Sequence, residues 1–219
     1  NECKVKVMPI HAEELDGTHI ELATLLSDLD GVLVAPGFGE RGISGKIRAI
    51  EFVRKNKIPV FGICLGMQCA VVEFALHEAG IEKASSTEVN SETPEPVIDM
   101  MEEQKKITDK GGTMRLGAYS CELKKKTKAA AAYGSLKISE RHRHRYEFNN
   151  LYLDKLTAAG LVVSGINPQS GLVEIIELAD HPWFVGVQFH PELKSTVENP
   201  HPLFVHFVKA ALTHKIGKG

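Results

Sequence analysis

The sequence is poor in several features, and each shortage excludes a class of protein. Only four of its 219 residues are cysteine, with no CxxC pair, which argues against a disulfide framework and favours a reducing cytoplasm. Lysine and arginine number 26 against 28 acidic residues, so the basic excess of nucleic-acid and membrane-surface proteins is missing. No apolar run approaches the ~20 residues of a membrane helix, and the first residues lack a signal-peptide pattern. We therefore expect a cytoplasmic protein with no nucleic-acid or membrane partner.

The residues that are present predict an α/β fold. Hydrophobic residues make up 43% of the chain and charged residues 25%, which is ordinary globular composition. Short apolar runs, typical of strands buried on both faces, alternate with helix-like segments in the first half. We expect an open, mostly parallel central sheet flanked by helices, with a strand-rich excursion in the middle of the chain. The predicted strands are 5–10, 31–35, 59–63, a short one near Val97, 114–123, 161–166, 172–178 and 184–189, and the predicted helices are 45–55, 65–79 and 203–213.

The sharpest local feature is Gly62-Ile63-Cys64-Leu65-Gly66, where a predicted strand ends and a predicted helix begins. It matches the G-x-nucleophile-x-G elbow, in which small residues on either side of the nucleophile permit a sharp strand-to-helix turn. A helix N-terminus favours the thiolate form of Cys64, and the N–H of Leu65 can donate to an oxyanion. The alternative is a buried structural cysteine between two chance glycines.

A thiolate nucleophile usually needs a histidine, and His190 is the candidate because it ends an apolar run and begins His-Pro-Glu. Residues i and i+2 of an extended segment point to the same side, so Glu192 can hold one ring nitrogen while the other faces Cys64. A loop histidine beside a surface acid explains the same spacing. Cys69, within the predicted helix, is interpreted as core packing.

Two other segments are chemically suggestive. The turn at Pro36–Gly39 follows a buried strand, where a backbone N–H could reach a substrate; a plain turn is the alternative. The segment Arg141–Glu147 contains His142 and His144, but no cysteine or carboxylate set with metal-ligand spacing accompanies them. We interpret this segment as a solvated or substrate-facing basic strand.

Two motifs together resemble those of class I glutamine amidotransferases: GICLGMQ at 62–68 and QFHPE at 188–192. Longer motifs are similar to the glutaminase domains of CTP synthases, and the resemblance runs over nearly the whole chain. These motifs are GFGERG at 37–42, GGTMRLG at 111–117, ERHRHRYEFN at 140–149 and HPWF at 181–184. Pro36 stands where the family has the first of two glycines, but the N–H of Gly37 is retained.

The resemblance implies that the chain hydrolyses L-glutamine to glutamate and ammonia. By this resemblance Cys64 is the nucleophile that forms a glutamyl thioester, His190 is the base, and Glu192 orients His190. The oxyanion would bind the N–H groups of Gly37 and Leu65. The residues implied in glutamine binding are Gly37, Leu65, Gly66, Met67, Gln68, Glu88 for the ammonium and Arg145 for the carboxylate.

The resemblance also implies what lies outside the chain. A separate synthetase domain would use the ammonia for ATP- and Mg²⁺-dependent amination of UTP to CTP, with GTP as activator, in an assembly of identical subunits. We expect residues 1–219 to be one amidotransferase domain without cofactor or metal, lacking the family's first strand and helix. Two alternatives remain: a class I amidotransferase that serves another acceptor, and a catalytically silent docking module.

Overall fold

The computed structural model describes residues 3–16, 19–100 and 114–218. Its α-helices within these ranges are α1 His19–Leu26, α2 Ile43–Lys55, α3 Leu65–His77, α4 Lys128–Tyr133, α5 Leu153–Ala158 and α6 Pro202–Gly217. Short 3-10 turns occur at Ala12–Asp16, Asn150–Tyr152 and Pro191–Lys194. None of the helices in the described part of the chain combines the length and the apolar character needed to cross a bilayer.

The strands form two sheets. The larger sheet contains β1 Val32–Val34, β2 Val60–Ile63, β5 Arg115–Leu123, β6 Lys137–His144, β8 Leu161–Ile166, β9 Val173–Leu178 and β10 Phe184–Val187. Its order is β1-β2-β10-β9-β8-β5-β6. The smaller sheet contains β3 Ala84–Ser86, β4 Glu95–Met100 and β7 Tyr146–Phe148, in the order β3-β4-β7.

The expected α/β class and the strand-rich middle are confirmed, and the sheet has a parallel part and an antiparallel part. Strand β2 pairs in parallel with β1 on one side and β10 on the other. From β10 onward, β9, β8, β5 and β6 pair antiparallel in succession. Helix α2 provides the long crossover that parallel β1 and β2 require, whereas the short β8–β9 and β9–β10 connections produce antiparallel neighbours. The parallel part carries Cys64.

One predicted strand is wrong. Residues 5–10 have no regular structure, and the Val5 and Val7 side chains are 57% and 80% exposed. A strand requires a hydrogen-bonded neighbour, and no strand in the described ranges pairs with this segment. The other predicted strands and helices are present with end shifts of a few residues. The start of the predicted motif at 111–117 lies outside the described residues.

The core lies on both faces of the larger sheet. One apolar cluster packs α2 and α3 against the sheet, and the second packs α6 against the opposite face. Alternation along β2 puts Val60 into the first cluster and Phe61 into the second. Eleven of the 13 residues of α3 are buried, so this helix is held on every side. The residue that begins it is therefore held in a fixed position.

Candidate active site

Cys64 lies at a sharp turn between β2 and α3. Its backbone angles are φ 50° and ψ −104°, a conformation that L-residues adopt rarely and that costs on the order of 1–3 kcal/mol. The backbone is held from both sides, since the Cys64 N–H donates to the Val187 carbonyl at 2.7 Å and the Cys64 carbonyl accepts from the Gln68 N–H at 3.1 Å. This strained turn aims the sulfur away from the strand, as the elbow interpretation predicts.

The two glycines of the elbow are required by close backbone contacts. A Cβ atom on Gly62 would lie 2.7 Å from the carbonyl carbon and oxygen of Gly66. A Cβ atom on Gly66 would lie 2.2 Å from the Val34 carbonyl oxygen. Real Cβ atoms essentially never come closer than 3.0 Å to such atoms. The glycines therefore permit α3 to pack directly on the ends of β1 and β2.

His190 and Glu192 lie at the end of β10, beside the elbow. The Nδ1 atom of His190 is 2.6 Å from the Glu192 Oε1 atom. Hydrogen bonding with Cys64, and then with Glu192, raises the pKa of His190 to about 10 in spite of its burial. Burial alone would raise the pKa of Glu192, but the interaction with His190 holds it below its ordinary value. The ionisation of His190 is thus coupled to both Cys64 and Glu192.

Because Nδ1 of His190 is engaged by Glu192, Nε2 is the ring nitrogen that remains for the interaction with Cys64. This Nε2 atom is buried and makes no hydrogen bond of standard geometry with the described residues. The contact with the Cys64 thiol that raises the histidine pKa is therefore looser than an aligned hydrogen bond. Nε2 is left available for proton exchange with the sulfur or with a bound substrate.

The loop after β1 brings Gly37 to Leu65. A Cβ atom on Gly37 would lie 3.2 Å from the Leu65 Cδ2 atom, so the loop packs against the Leu65 side chain. Leu65 is the first residue of α3, and its N–H has no partner within the helix. The loop is held in place by Glu88, whose Oε1 atom accepts from the Gly39 N–H at 2.8 Å.

The other residues implied in substrate binding lie on α3 and around Tyr146. Gly66, Met67 and Gln68 form the first turn of α3, and the Gln68 Nε2 atom donates to the Tyr146 carbonyl at 2.8 Å. Burial and the charge of Glu88 raise the pKa of the Tyr146 phenol, whereas the charge of exposed Arg145 opposes this shift. The charges of Glu88 and Arg145 thus shift the pKa of the same phenol in opposite directions.

The segment Arg141–Glu147 departs from the solvated basic strand that its composition predicts. Its arginines are exposed, but His142 and His144 are 2% and 6% exposed, so the solvated interpretation is wrong for the histidines. Alternation along β6 puts the two residue types on opposite faces of the sheet. Within the described ranges, no His, Cys, Asp and Glu side chains cluster with the geometry of a metal site.

Sequence reasoning gave no role to three residues near the site. Gln188 donates from Nε2 to the Cys64 sulfur at 3.7 Å, although only His190 and Glu192 were given roles from its sequence motif. Arg115 and Glu174 form a buried ion pair at 2.6 Å behind the histidines. A glutamate within the apolar run of β9 was the available signal, because an unpaired charge is rarely buried.

Cys64 is 4% exposed, and its interactions with Gln188 and His190 distinguish it from the other cysteines. Cys69 is 2% exposed within α3, and burial raises the pKa of its thiol to about 12, so the core-packing interpretation is confirmed. Burial also raises the pKa of Cys121. Cys3 is exposed and remote in sequence from the elbow.

Comparison with known proteins agrees with this arrangement. The family model described as glutamine amidotransferase class-I matches residues 1–210. The CTP synthase of Cytophaga hutchinsonii is 62% identical over 218 residues, which is 100% of this chain and 40% of that protein. The CTP synthase of Flavobacterium johnsoniae is 61% identical over 216 residues, 98% of this chain and 40% of the relative. The chain thus spans about two-fifths of the length of these relatives.

A solved structure is similar over almost the whole chain. The glutaminase domain of Trypanosoma brucei CTPS, with bound acivicin, superposes with a TM-score of 0.91 at 36% identity. The match covers 97% of this chain and 82% of that chain.

Proposed function

This chain belongs to the class I glutamine amidotransferase family, as a domain of the CTP synthase type, and from this we propose that it hydrolyses L-glutamine to glutamate and ammonia at Cys64. In the full-length protein the ammonia serves a synthetase domain that aminates UTP to CTP. The observation that carries the proposal is the strained Cys64 beside a His190 that is 2.6 Å from Glu192.

The chemistry begins at the sulfur. The Cys64 thiolate attacks the side-chain amide carbon of glutamine, forming a C–S bond and a tetrahedral oxyanion. The N–H groups of Gly37 and Leu65 are assigned to stabilise this oxyanion, which is supported by the 3.2 Å between the Cβ position of Gly37 and the Leu65 Cδ2 atom and by the position of Leu65 directly after the nucleophile. His190 then gives a proton to the departing nitrogen, the C–N bond breaks, and ammonia leaves a glutamyl thioester.

Hydrolysis of the thioester uses the same base. Neutral His190 takes a proton from water while the water oxygen attacks the thioester carbon, and the C–S bond breaks to release glutamate. Glu192 stabilises the imidazolium that forms in this step, and its contact with Nδ1 keeps Nε2 directed at the reacting atoms. The thiolate is regenerated.

Substrate recognition is assigned to opposite charges at the opening. Glu88 receives the α-ammonium of glutamine, and Arg145 binds its α-carboxylate. The action of both charges on the Tyr146 phenol supports this assignment. The segment Leu65 to Gln68 packs along the side chain of the substrate from the first turn of α3.

The synthetase reaction is proposed for the part of the protein outside this chain. ATP, Mg²⁺, UTP and the activator GTP are assigned there, as is the assembly of identical subunits. The relatives that are CTP synthases support this division, since the chain matches 40% of their length. The cytoplasmic location predicted from the sequence stays part of the proposal.

One experiment tests the proposed activity. We expect the purified chain to release equimolar ammonia and glutamate from L-glutamine, and Cys64→Ala to release neither. Release only after addition of the synthetase part would indicate a partner-dependent glutaminase. No release under either condition, with a folded chain, would contradict the proposal and favour a docking module. Ammonia release without CTP formation in the full-length protein, given ATP and UTP, would favour another acceptor.

A further inference from the structure

The Tyr146 carbonyl joins two halves of a buried hydrogen-bond chain. It accepts from the Gln68 Nε2 atom at 2.8 Å, and the His144 Nδ1 atom lies 3.1 Å from it. A carbonyl oxygen can only accept, so His144 must carry its proton on Nδ1 and Gln68 must present its NH₂ group. One backbone atom therefore fixes the orientation of both side chains.

The first half of the chain ends at the nucleophile. The Gln68 Nε2 atom also donates to Gln188 Oε1 at 3.3 Å. This contact makes Oε1 the acceptor of Gln188, so its NH₂ group faces the Cys64 sulfur at 3.7 Å. The Tyr146 carbonyl therefore orients Gln68, and Gln68 orients Gln188 so that its NH₂ group donates to the sulfur. A hydrogen bond donated to the sulfur favours the thiolate.

The second half of the chain leads to a buried carboxyl group. Since neutral His144 is protonated on Nδ1, its Nε2 accepts from the His142 Nδ1 atom 2.9 Å away. Neutral His142 then carries no proton on Nε2, which lies 3.3 Å from the Glu174 Oε2 atom. Both atoms are buried, and neither makes a hydrogen bond of standard geometry with the described residues. Two lone pairs would face each other if Glu174 were ionised, whereas one proton between these atoms gives each the partner it lacks.

Charges around the carboxyl group place this proton on Glu174. Arg115 contacts Oε1 of Glu174 at 2.6 Å, and its charge opposes a second cation at His142. Burial raises the pKa of Glu174 to about 7 against the effect of Arg115, whereas burial and then Arg115 lower the pKa of His142 to about 2. Two further titratable groups interact electrostatically with these residues: Cys121 of β5 with Glu174, and His190 with His142.

Two more groups lie beside His142, His144 and Arg115. The Tyr119 ring of β5 packs edge-on against His142, with centroids 5.4 Å apart. Glu147 of β7 contacts Arg115 at 3.3 Å and lies 3.9 Å from the His144 Nδ1 atom. Glu147 thus shares Arg115 with Glu174, which leaves less positive charge to hold Glu174 ionised.

We propose that Glu174, His142 and His144 are positioning residues, whose bound proton sets the direction of hydrogen bonds through the Tyr146 carbonyl, Gln68 and Gln188 to the Cys64 sulfur. This inference rests on the proposed function, because it gives the network a purpose only if Cys64 is the nucleophile. Protonated Glu174 donates to His142, His142 to His144, and His144 to the carbonyl.

Loss of the Glu174 proton reverses the direction. The carboxylate then accepts from His142 Nε2–H, His142 Nδ1 accepts from His144 Nε2–H, and the bare His144 Nδ1 faces the Tyr146 carbonyl. This contact is repulsive, so the carbonyl that orients Gln68 loses its support. Reactivity of the sulfur should therefore fall as the pH rises through about 7.

The proton positions can be measured directly by NMR. In ¹⁵N-histidine-labelled protein at pH 6, we expect His142 and His144 to be neutral in the Nδ1–H form, with their signals identified by the loss of each one in His142→Gln and His144→Gln. This tautomer is the less common one in water, so its presence reports the network. At pH 8 the same two residues should be in the Nε2–H form. Nε2–H signals for both at pH 6 would overturn the proposal.

The effect on the nucleophile is measured by alkylation without glutamine. Iodoacetamide labelling of Cys64 is followed by peptide mass mapping between pH 5.5 and 8.5, with exposed Cys3 as the internal reference. In Glu174→Gln the amide oxygen accepts from Arg115 and the NH₂ group donates to His142. We expect the labelling rate of Cys64 in this variant to stay within about threefold of the parent rate at pH 6. The fall in this rate near pH 7 should be absent from the variant.

Glu174→Leu should slow the labelling of Cys64 by about tenfold, the effect of one lost hydrogen bond on a rate, and leave Cys3 unchanged. Glu177→Gln is the matched control, because Glu177 is buried on the same strand but caps the N-terminus of α4, and it should keep the pH profile.

If Glu174→Gln and Glu174→Leu slow the labelling of Cys64 equally, the proton on Glu174 does not set the direction of the hydrogen bonds. A fall in labelling rate near pH 7 that persists in Glu174→Gln would also refute the proposal. If Glu174→Leu fails to fold, the NMR tautomers and the Glu174→Gln profile decide. Neither readout uses glutamine, so a chain without glutaminase activity still tests this inference.

Discussion

Replacing Gly66 with alanine tests the elbow most directly. The added Cβ atom would lie 2.2 Å from the Val34 carbonyl oxygen and 3.1 Å from the Val34 side chain. The oxygen belongs to the backbone of β1, which is paired with β2 and cannot move independently. Helix α3 must therefore shift by about 0.8 Å to restore the 3.0 Å below which such contacts are not found.

The shift acts two residues from the nucleophile. A displacement of about 1 Å costs on the order of 100-fold in rate when reacting groups must stay aligned, so we expect Gly66→Ala to lower glutaminase kcat/KM by about that factor. Overpacking should also cost about 1–3 kcal/mol of unfolding free energy, measured by urea denaturation. Gly217→Ala is the control, because its Cβ would meet nothing within 4 Å, and it should leave both quantities unchanged.

Wild-type turnover in Gly66→Ala would refute this reasoning, because it would mean that the backbone contact with β1 does not hold the nucleophile in place. A loss of stability with unchanged kcat/KM would have the same meaning. A loss of activity in both Gly66→Ala and the control would show that the assay responds to general damage.

Three further predictions follow from the site and the core. Glu192→Ala should retain turnover on the order of 10⁻² to 10⁻³ of the parent, whereas Cys64→Ala should retain none, since an orienting acid is partly dispensable; equal total loss in steady-state assays would contradict this role. The electrophilic glutamine analogue 6-diazo-5-oxo-L-norleucine should label Cys64, which interacts with His190, and spare Cys69, whose thiol pKa burial raises to about 12; a mass adduct on Cys69 would overturn the elbow assignment. Glu73→Ala should cost about 3 kcal/mol of unfolding free energy, because it breaks the buried pair with Arg54 at 2.7 Å; a change below about 0.5 kcal/mol in urea denaturation would contradict it.

Local pattern was sufficient for the elements that are buried on every side. The apolar runs that became β1, β2 and β10 have one interpretation, because a short run with no polar face fits a strand inside an α/β sheet. The same reasoning failed for residues 5–10. There the alternation is present, but a strand exists only when another strand supplies hydrogen bonds, and no local signal reports that neighbour.

The sequence by itself determined the elbow, because glycines two residues before and after Cys64 are a local requirement of a sharp strand-to-helix turn. It also indicated His190 and Glu192, since their spacing is a property of one short segment. Only the tertiary structure decided that His142 and His144 are buried and that Gln188 donates to the sulfur. These contacts join different strands of one sheet, and strand order and register are set by packing across the whole domain rather than by neighbours in the chain.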